Sequence, residues 1–203
     1  MNADALFAPT EEHQMIREMV ADFTTNEIEP QADQQDRIGD LNRPLFQKVG
    51  ELGLLGLTVD AEYGGAGMDS TAAVIVHHEF SKSDPGFCLA YLAHTILFVN
   101  NFFHCSNEEQ KERYLPRVVS GEWVAGMAMT EPSVGTDVLG MATTAVKKGD
   151  TYILNGRKMF ITNGPEGDVF LVYAKVDGRI TAFVVDNSCP GFSKGQVMHK
   201  MGM

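Results

Sequence analysis

The spacing of apolar residues changes period at Gly121, and that change divides the chain into two folding problems. Before it, apolar residues recur at three- and four-residue intervals, as in helices with one buried stripe. Met15, Ile16, Met19, Val20 and Phe23 form such a stripe behind Pro9-Thr10, Glu11 and Glu12, a hydroxyl cap followed by first-turn acids. Pro30 is expected to end this helix. A shorter one follows Pro44, with Leu45, Phe46, Val49 and Leu52 inward. Glu62-Tyr63-Gly64-Gly65-Ala66-Gly67 reads as a loop or turn. Ser70 to Ser81 is a helix carrying Val74, Ile75 and His78, and Asp84-Pro85 caps a long apolar helix from Phe87 to about Phe103. Leu89, Leu92, Ala93, Ile96, Leu97, Val99 and Phe102 surround most of its circumference, which places it inside a bundle. Ser106 and Glu109 read as the capping box of a last helix that reaches Val119.

After Gly121 the apolar runs are short, rich in β-branched residues and bounded by turns. Trp123 to Thr130, Ala142 to Val146, Tyr152 to Leu154, Lys158 to Thr162, Val169 to Val176 and Arg179 to Val185 are the predicted strands. Six strands in one run suggest a small barrel or sandwich. The expected fold class is α+β: an α-helical bundle domain over 1–121, then a β-barrel-like domain over 122–203. Met198-His199-Lys200-Met201-Gly202-Met203 shows no capped element or polar tail. A β domain of this type is expected to need at least one more strand to close its edge, so the chain reads as cut.

A chain of 203 residues with 44% apolar content can bury a core. Its net charge of −11 argues against nucleic acid or an anionic membrane as a main partner. No stretch reads as a transmembrane span, and the first residues lack the basic region and apolar core of a signal peptide. Cys88, Cys105 and Cys189 are scattered, with no CxxC pair, which suits free thiols in a reducing compartment. A cytoplasmic location is the expectation.

The chemistry concentrates between residues 126 and 164. In Thr130-Glu131-Pro132-Ser133-Val134-Gly135-Thr136-Asp137, Pro132 and Gly135 break regular structure and free backbone N–H groups, while Thr130, Ser133 and Thr136 add hydroxyls. Such a loop can hold the ring edge and pyrophosphate of a flavin. It can also be an ordinary turn with Glu131 and Asp137 in water. In the strand expected at Lys158 to Thr162, alternation puts Phe160 and Thr162 on one face, with Met159 and Ile161 on the other. A ring and a hydroxyl so placed can pack on an isoalloxazine; a lone Phe in a strand is otherwise a core residue. His77-His78-Glu79 lacks metal-ligand spacing, because adjacent helical positions diverge. His94, among aliphatics, needs a polar partner, either inside the core or on a ligand, and Tyr91 shares its face. Gly64, Gly65 and Gly67 form no dinucleotide fingerprint, and neither a P-loop nor a GxSxG elbow is present.

The order of the Thr130–Asp137 loop, the turns at Lys148-Gly149-Asp150 and Asn155-Gly156, and Lys158-Met159-Phe160-Ile161-Thr162-Asn163-Gly164 resembles the acyl-CoA dehydrogenase family. Glu62-Tyr63-Gly64-Gly65, Glu109-Gln110-Lys111 and Tyr114-Leu115-Pro116 extend the resemblance over essentially the whole chain. Tyr91-Leu92-Ala93-His94 and Asn163-Gly164-Pro165 look closest to its isovaleryl-CoA and short branched-chain branch.

The resemblance implies a helical domain, a β-barrel-like middle domain and, in the complete family pattern, a C-terminal four-helix bundle. It implies FAD as cofactor, held by Met127, Ala128, Met129, Thr130, Gly135, Thr136, Phe160, Ile161 and Thr162. Thr136 replaces the usual serine, Phe160 the usual tryptophan, and Thr162 matches the threonine at the flavin N5 edge. Thr136, Tyr91 and His94 are the expected substrate contacts. The implied reaction is α,β-dehydrogenation of an acyl-CoA, with electrons passed to an electron-transferring flavoprotein and the complete protein a homotetramer or dimer. The family's catalytic glutamate is expected beyond these residues, so no catalytic residue is assigned. An acyl-CoA oxidase or flavin monooxygenase on the same scaffold, and a non-catalytic flavin- or acyl-CoA-binding or assembly module, are the alternatives.

Overall fold

The computed structural model describes residues 9–200. The signal-peptide reading of residues 1–7 and the end of the chain at residues 201–203 lie outside the described residues.

Helix α1 (Glu11–Phe23) begins at Thr10, whose hydroxyl accepts the His13 amide at 3.2 Å while His13 Nδ1 accepts the Thr10 amide at 3.1 Å. Ile16 and Val20 are buried, but Met15 is 70% exposed, so the apolar stripe is narrower than the five-residue pattern. Pro30 does not end the helix. The backbone widens into a π turn over Thr24–Ile28 and continues as α2 (Glu29–Ile38), with Pro30 in its first turn. The Glu29 amide donates to the Thr24 carbonyl five residues back, and this widened turn lets the rod carry a residue with no N–H to donate. Helix α3 (Arg43–Glu51) buries Leu45, Phe46 and Val49, whereas Leu52, just beyond its end, turns outward. In α4 (Ser70–Ser81) Ile75 faces the core, while Val74 and His78 face solvent.

Helix α5 (Pro85–Leu92) passes through π turns at Ala93–Asn100 into α6 (Asn101–Cys105), forming one rod. Contrary to the sequence reading, this rod is long and apolar enough to cross a bilayer, but 56% of its most apolar window is buried against the protein. The capping box of α7 (Glu108–Val119) is Asn107 with Gln110, one residue later than expected. Ser106 instead donates its hydroxyl to the Phe102 carbonyl.

Strands β1 (Ala125–Ala128), β2 (Thr144–Lys148), β3 (Thr151–Asn155), β4 (Val169–Val176) and β5 (Arg179–Asp186) form one sheet. β4 is its hub. β5 runs antiparallel along all of it, β1 lies parallel to its first half, and β2 meets its second half at Thr144–Lys175. The sixth expected strand, Lys158 to Thr162, is not a strand. Phe160 has φ +57° and Asn163 φ +63°, left-handed conformations that no extended strand accommodates.

Two cores result. One fills the space between helices, where Phe80 meets Tyr91 edge-on at 5.1 Å. In the other, Phe98, Val99, Phe102, Leu115 and Val118 pack on Ala125, Val169 and Leu171 of β1 and β4. Each large side chain so buried contributes roughly 1.5–3 kcal/mol. This second core seats β1 against the apolar rod and thereby places everything that follows β1.

Candidate functional site

The residues expected to hold a flavin converge on β1, by a different route from the one the sequence suggested. The segment from Lys158 to Gly164 is an arch laid beside the strand. A Cβ on Gly126 would lie 2.8 Å from the Thr162 carbonyl oxygen, so the arch approaches β1 only because glycine stands there. The Met159 amide donates to the Thr130 carbonyl at 2.9 Å, and Lys158 Nζ donates to the Met129 carbonyl at 3.0 Å. Met127, Ala128, Met129 and Thr130 thus share a ledge with Phe160, Ile161 and Thr162.

On this ledge Phe160 is 64% exposed. Neither the alternating strand face nor the core position describes it: its positive φ turns the ring outward. Ile161, Thr162, Met127, Met129 and Thr130 are half-buried, and Ala128 is buried. In the loop that follows β1, Ser133, Gly135 and Thr136 are exposed, and their amides donate to no protein acceptor among the described residues.

Glu131 is not solvated. It is 5% exposed, and its backbone exchanges hydrogen bonds with Val134 to close the turn. Its carboxylate accepts the Ala142 amide at 2.7 Å, the Thr143 amide at 3.0 Å, the Thr143 hydroxyl at 2.5 Å and Lys158 Nζ at 2.9 Å. Burial alone would raise its pKa, but the Thr143 hydroxyl, the Ala142 and Thr143 amides and the Lys158 ammonium together hold it down at about 2. The loop is anchored to the arch and to the approach to β2 by one carboxylate. Nothing local in the sequence marks this, because Glu131 and Lys158 are far apart in the chain.

Tyr91 and His94, expected to touch substrate, lie inside the helical core and are both fully buried. The Tyr91 hydroxyl donates to the Leu54 carbonyl at 2.8 Å. His94 Nδ1 accepts the Ala125 amide at 2.9 Å, which leaves Nε2–H to donate to the Val118 carbonyl at 2.9 Å. Desolvation lowers the imidazole pKa to about 4, so it is neutral at physiological pH. Their polar atoms are spent on the protein itself.

His77 and His78 diverge as helical geometry requires. His77 donates from Nδ1 to the Ala73 carbonyl at 2.6 Å, and His78 faces solvent beside Glu79, which is ion-paired to Arg17 at 2.7 Å.

Asn163 enters the sequence reading only within the family signature, with no role assigned, although the Asn-Gly pair at 163–164 is a turn signal that points to a positive φ. It is 9% exposed, and its Nδ2 donates to the carbonyls of Ala90 and Ala125, each at 2.9 Å.

The geometry has close counterparts among known proteins. The acyl-CoA dehydrogenase N-terminal domain matches residues 10–122, and the acyl-CoA dehydrogenase middle domain matches residues 126–203. The mitochondrial isovaleryl-CoA dehydrogenase of Pongo abelii is 41% identical over 209 residues, which covers 98% of this chain and 49% of that protein. A glutaryl-CoA dehydrogenase of Mycobacterium smegmatis, solved in complex with FADH2, aligns with a TM-score of 0.91 at 30% identity, covering 98% of this chain and 51% of the other. A chain solved in work on the electron transferring flavoprotein of Acidaminococcus fermentans aligns with a TM-score of 0.89 at 39% identity, covering 94% of this chain and 51% of the other. The chain spans about half the length of the curated relatives it matches. Family domains matched in their proper order over nearly every described residue, on a fold of the same shape, place this chain in the acyl-CoA dehydrogenase family of flavoprotein oxidoreductases.

Proposed function

We propose that the chain carries the flavin-holding part of an enzyme that dehydrogenates an acyl-CoA between its α and β carbons and passes the electrons to an electron-transferring flavoprotein. The observation that carries this reading is the ledge beside β1. A solvent-facing aromatic ring, Phe160, stands next to the half-buried Thr162 and Thr130, with a loop of unpaired amides and hydroxyls beyond them. That set suits FAD: an aromatic face for the ring system, hydroxyls for its polar edge, and N–H and O–H donors at Ser133, Gly135 and Thr136 for the pyrophosphate. FAD, when bound, supplies the acceptor for the hydride that leaves the substrate β carbon.

The chain's own residues bind and orient. Glu131 and Lys158 hold the loop and the arch at a fixed separation, so the donors are organised before the cofactor arrives. Glu131 does not serve as the base that takes the α-proton. Its carboxylate already accepts four donors, and a carboxylate whose pKa is held at about 2 is a poor proton acceptor at neutral pH. Kinship with isovaleryl-CoA dehydrogenases supports a short, branched or alicyclic acyl group.

The test is an anaerobic titration of the purified native protein with isovaleryl-, butyryl- and glutaryl-CoA. Bleaching of the visible flavin band by at least one thioester, and its return on adding oxidised electron-transferring flavoprotein, is the expected result. A flavin-free protein, or a flavin that no acyl-CoA bleaches, would overturn the reading. Rapid return of colour in air alone would reassign the enzyme as an oxidase.

A further inference from the structure

β1 is an edge strand. It pairs with β4 on one side and presents its other side to the helices and the arch. An edge inside a protein leaves backbone groups that must find partners, and Ala125 is fully buried. Two side chains meet it: His94 Nδ1 accepts its N–H, and Asn163 Nδ2 donates to its carbonyl.

The second Nδ2 hydrogen of Asn163 goes to the Ala90 carbonyl, close to where α5 widens into π turns. That carbonyl already accepts the Ala93 amide. One carboxamide therefore joins three segments: the rod, the edge strand and the arch.

The residue type is fitted to the task. Asn tolerates the left-handed φ of +63° better than most residues. Its amide supplies two donors, which aspartate lacks, and glutamine is one methylene longer. The turn around it is tight. Gly164 donates to the Ile161 carbonyl at 2.8 Å, and Gly167 donates to the Asn163 carbonyl at 2.6 Å. Phe160, 64% exposed, has little packing of its own to fix it. The arch is held at one end by Met159 and Lys158, and at the other by Asn163.

We propose that Asn163 is a positioning residue that couples the rod from Pro85 to Cys105 to the Phe160–Thr162 ledge, so that ordering of the ledge by FAD is transmitted to the helix. The proposal rests on the flavin reading given above. Asn163 acts through the backbone of Ala125 and Ala90, not on the cofactor.

Asn163→Gly keeps the left-handed backbone accessible and removes the whole side chain; Asn163→Asp keeps the shape and removes the donors. Asn107→Ala, which deletes the N-cap of α7 away from the ledge, is the control for a purely structural loss. The purified apoprotein is titrated with FAD, and hydrogen exchange is followed over 85–100 and 127–136.

Asn163→Gly and Asn163→Asp are expected to bind FAD about tenfold more weakly, with an altered flavin band shape. FAD should slow exchange over 85–100 in the wild type and in Asn107→Ala, but not in the two Asn163 variants. Protection of 127–136 should persist in all of them. If Asn163→Gly melts at lower temperature yet binds FAD within about twofold of wild type and still protects 85–100, the coupling is refuted and the role is structural. If the wild type itself takes up no FAD, the flavin reading falls and this inference falls with it.

Discussion

Lys158 Nζ lies 2.9 Å from Glu131 Oε1, and the two side chains are only 10% and 4% exposed. A buried pair is weak evidence of net stability, but breaking one leaves a charge without its counterpart in a poor solvent. The two partners are not equivalent. Glu131 keeps three further donors, from Ala142 and Thr143, when Lys158 is removed, whereas Lys158 keeps only the Met129 carbonyl when the carboxylate is removed.

Glu131→Gln should therefore cost about 3 kcal/mol or more, and Lys158→Met about 1–2 kcal/mol. Urea unfolding of the two variants checks the order. Equal losses would mean that the other donors do not support the carboxylate as the geometry indicates.

His94 makes stability depend on pH in a defined window. Its folded pKa of about 4 lies below the ordinary 6.5, so below pH 6.5 the unfolded chain binds a proton that the native imidazole refuses. Stability is fully present above pH 6.5, falls as pH drops towards 4 and loses about 3 kcal/mol from this group. His77, lowered by desolvation, adds in the same direction. Glu131, with a folded pKa of about 2 against an ordinary 4.5, contributes a further loss only below pH 4.5. Denaturation free energies should fall between about pH 6.5 and 4 in wild type and much less steeply in His94→Phe, which has no proton to bind. An unchanged slope in that variant would contradict the assignment.

The helical half was legible because its signals are local. Thr10, Asp84 and the Leu45, Phe46 and Val49 stripe act within a few residues of themselves. Pro30 misled because a proline reads as a stop, while a π turn upstream moved it into a first-turn position. The sequence names the residues that lie on the ledge but not its shape. Lys158 to Thr162 has the β-branched and aromatic content of a strand, yet its conformation is set by distant partners: Thr130, Ala125 and Ala90. His94 and Tyr91 were singled out correctly as polar groups in an apolar helix, but no periodicity says whether such groups face a ligand or a buried carbonyl.

Phe160 holds φ at +57°, which strains a bulky side chain, and its ring is largely in water. Phe160→Gly should relieve the strain and raise apoprotein stability by up to about 1 kcal/mol, partly offset by the entropy of glycine in the unfolded chain. The same change should weaken FAD binding by removing the aromatic face. Melting curves with and without FAD check both halves: the variant should gain without cofactor and lose its cofactor-dependent increment. A loss of stability without cofactor would show that the ring is part of the core after all.

The β1 loop and the arch are proposed to form one cofactor ledge. Hydrogen exchange of the native protein, stripped of flavin and then resupplied with FAD, tests it most directly. FAD should slow exchange over 127–136 and 158–164 together, with the Ser133, Gly135 and Thr136 amides showing the largest change. Protection of neither segment, or of only one of the two, would contradict the site.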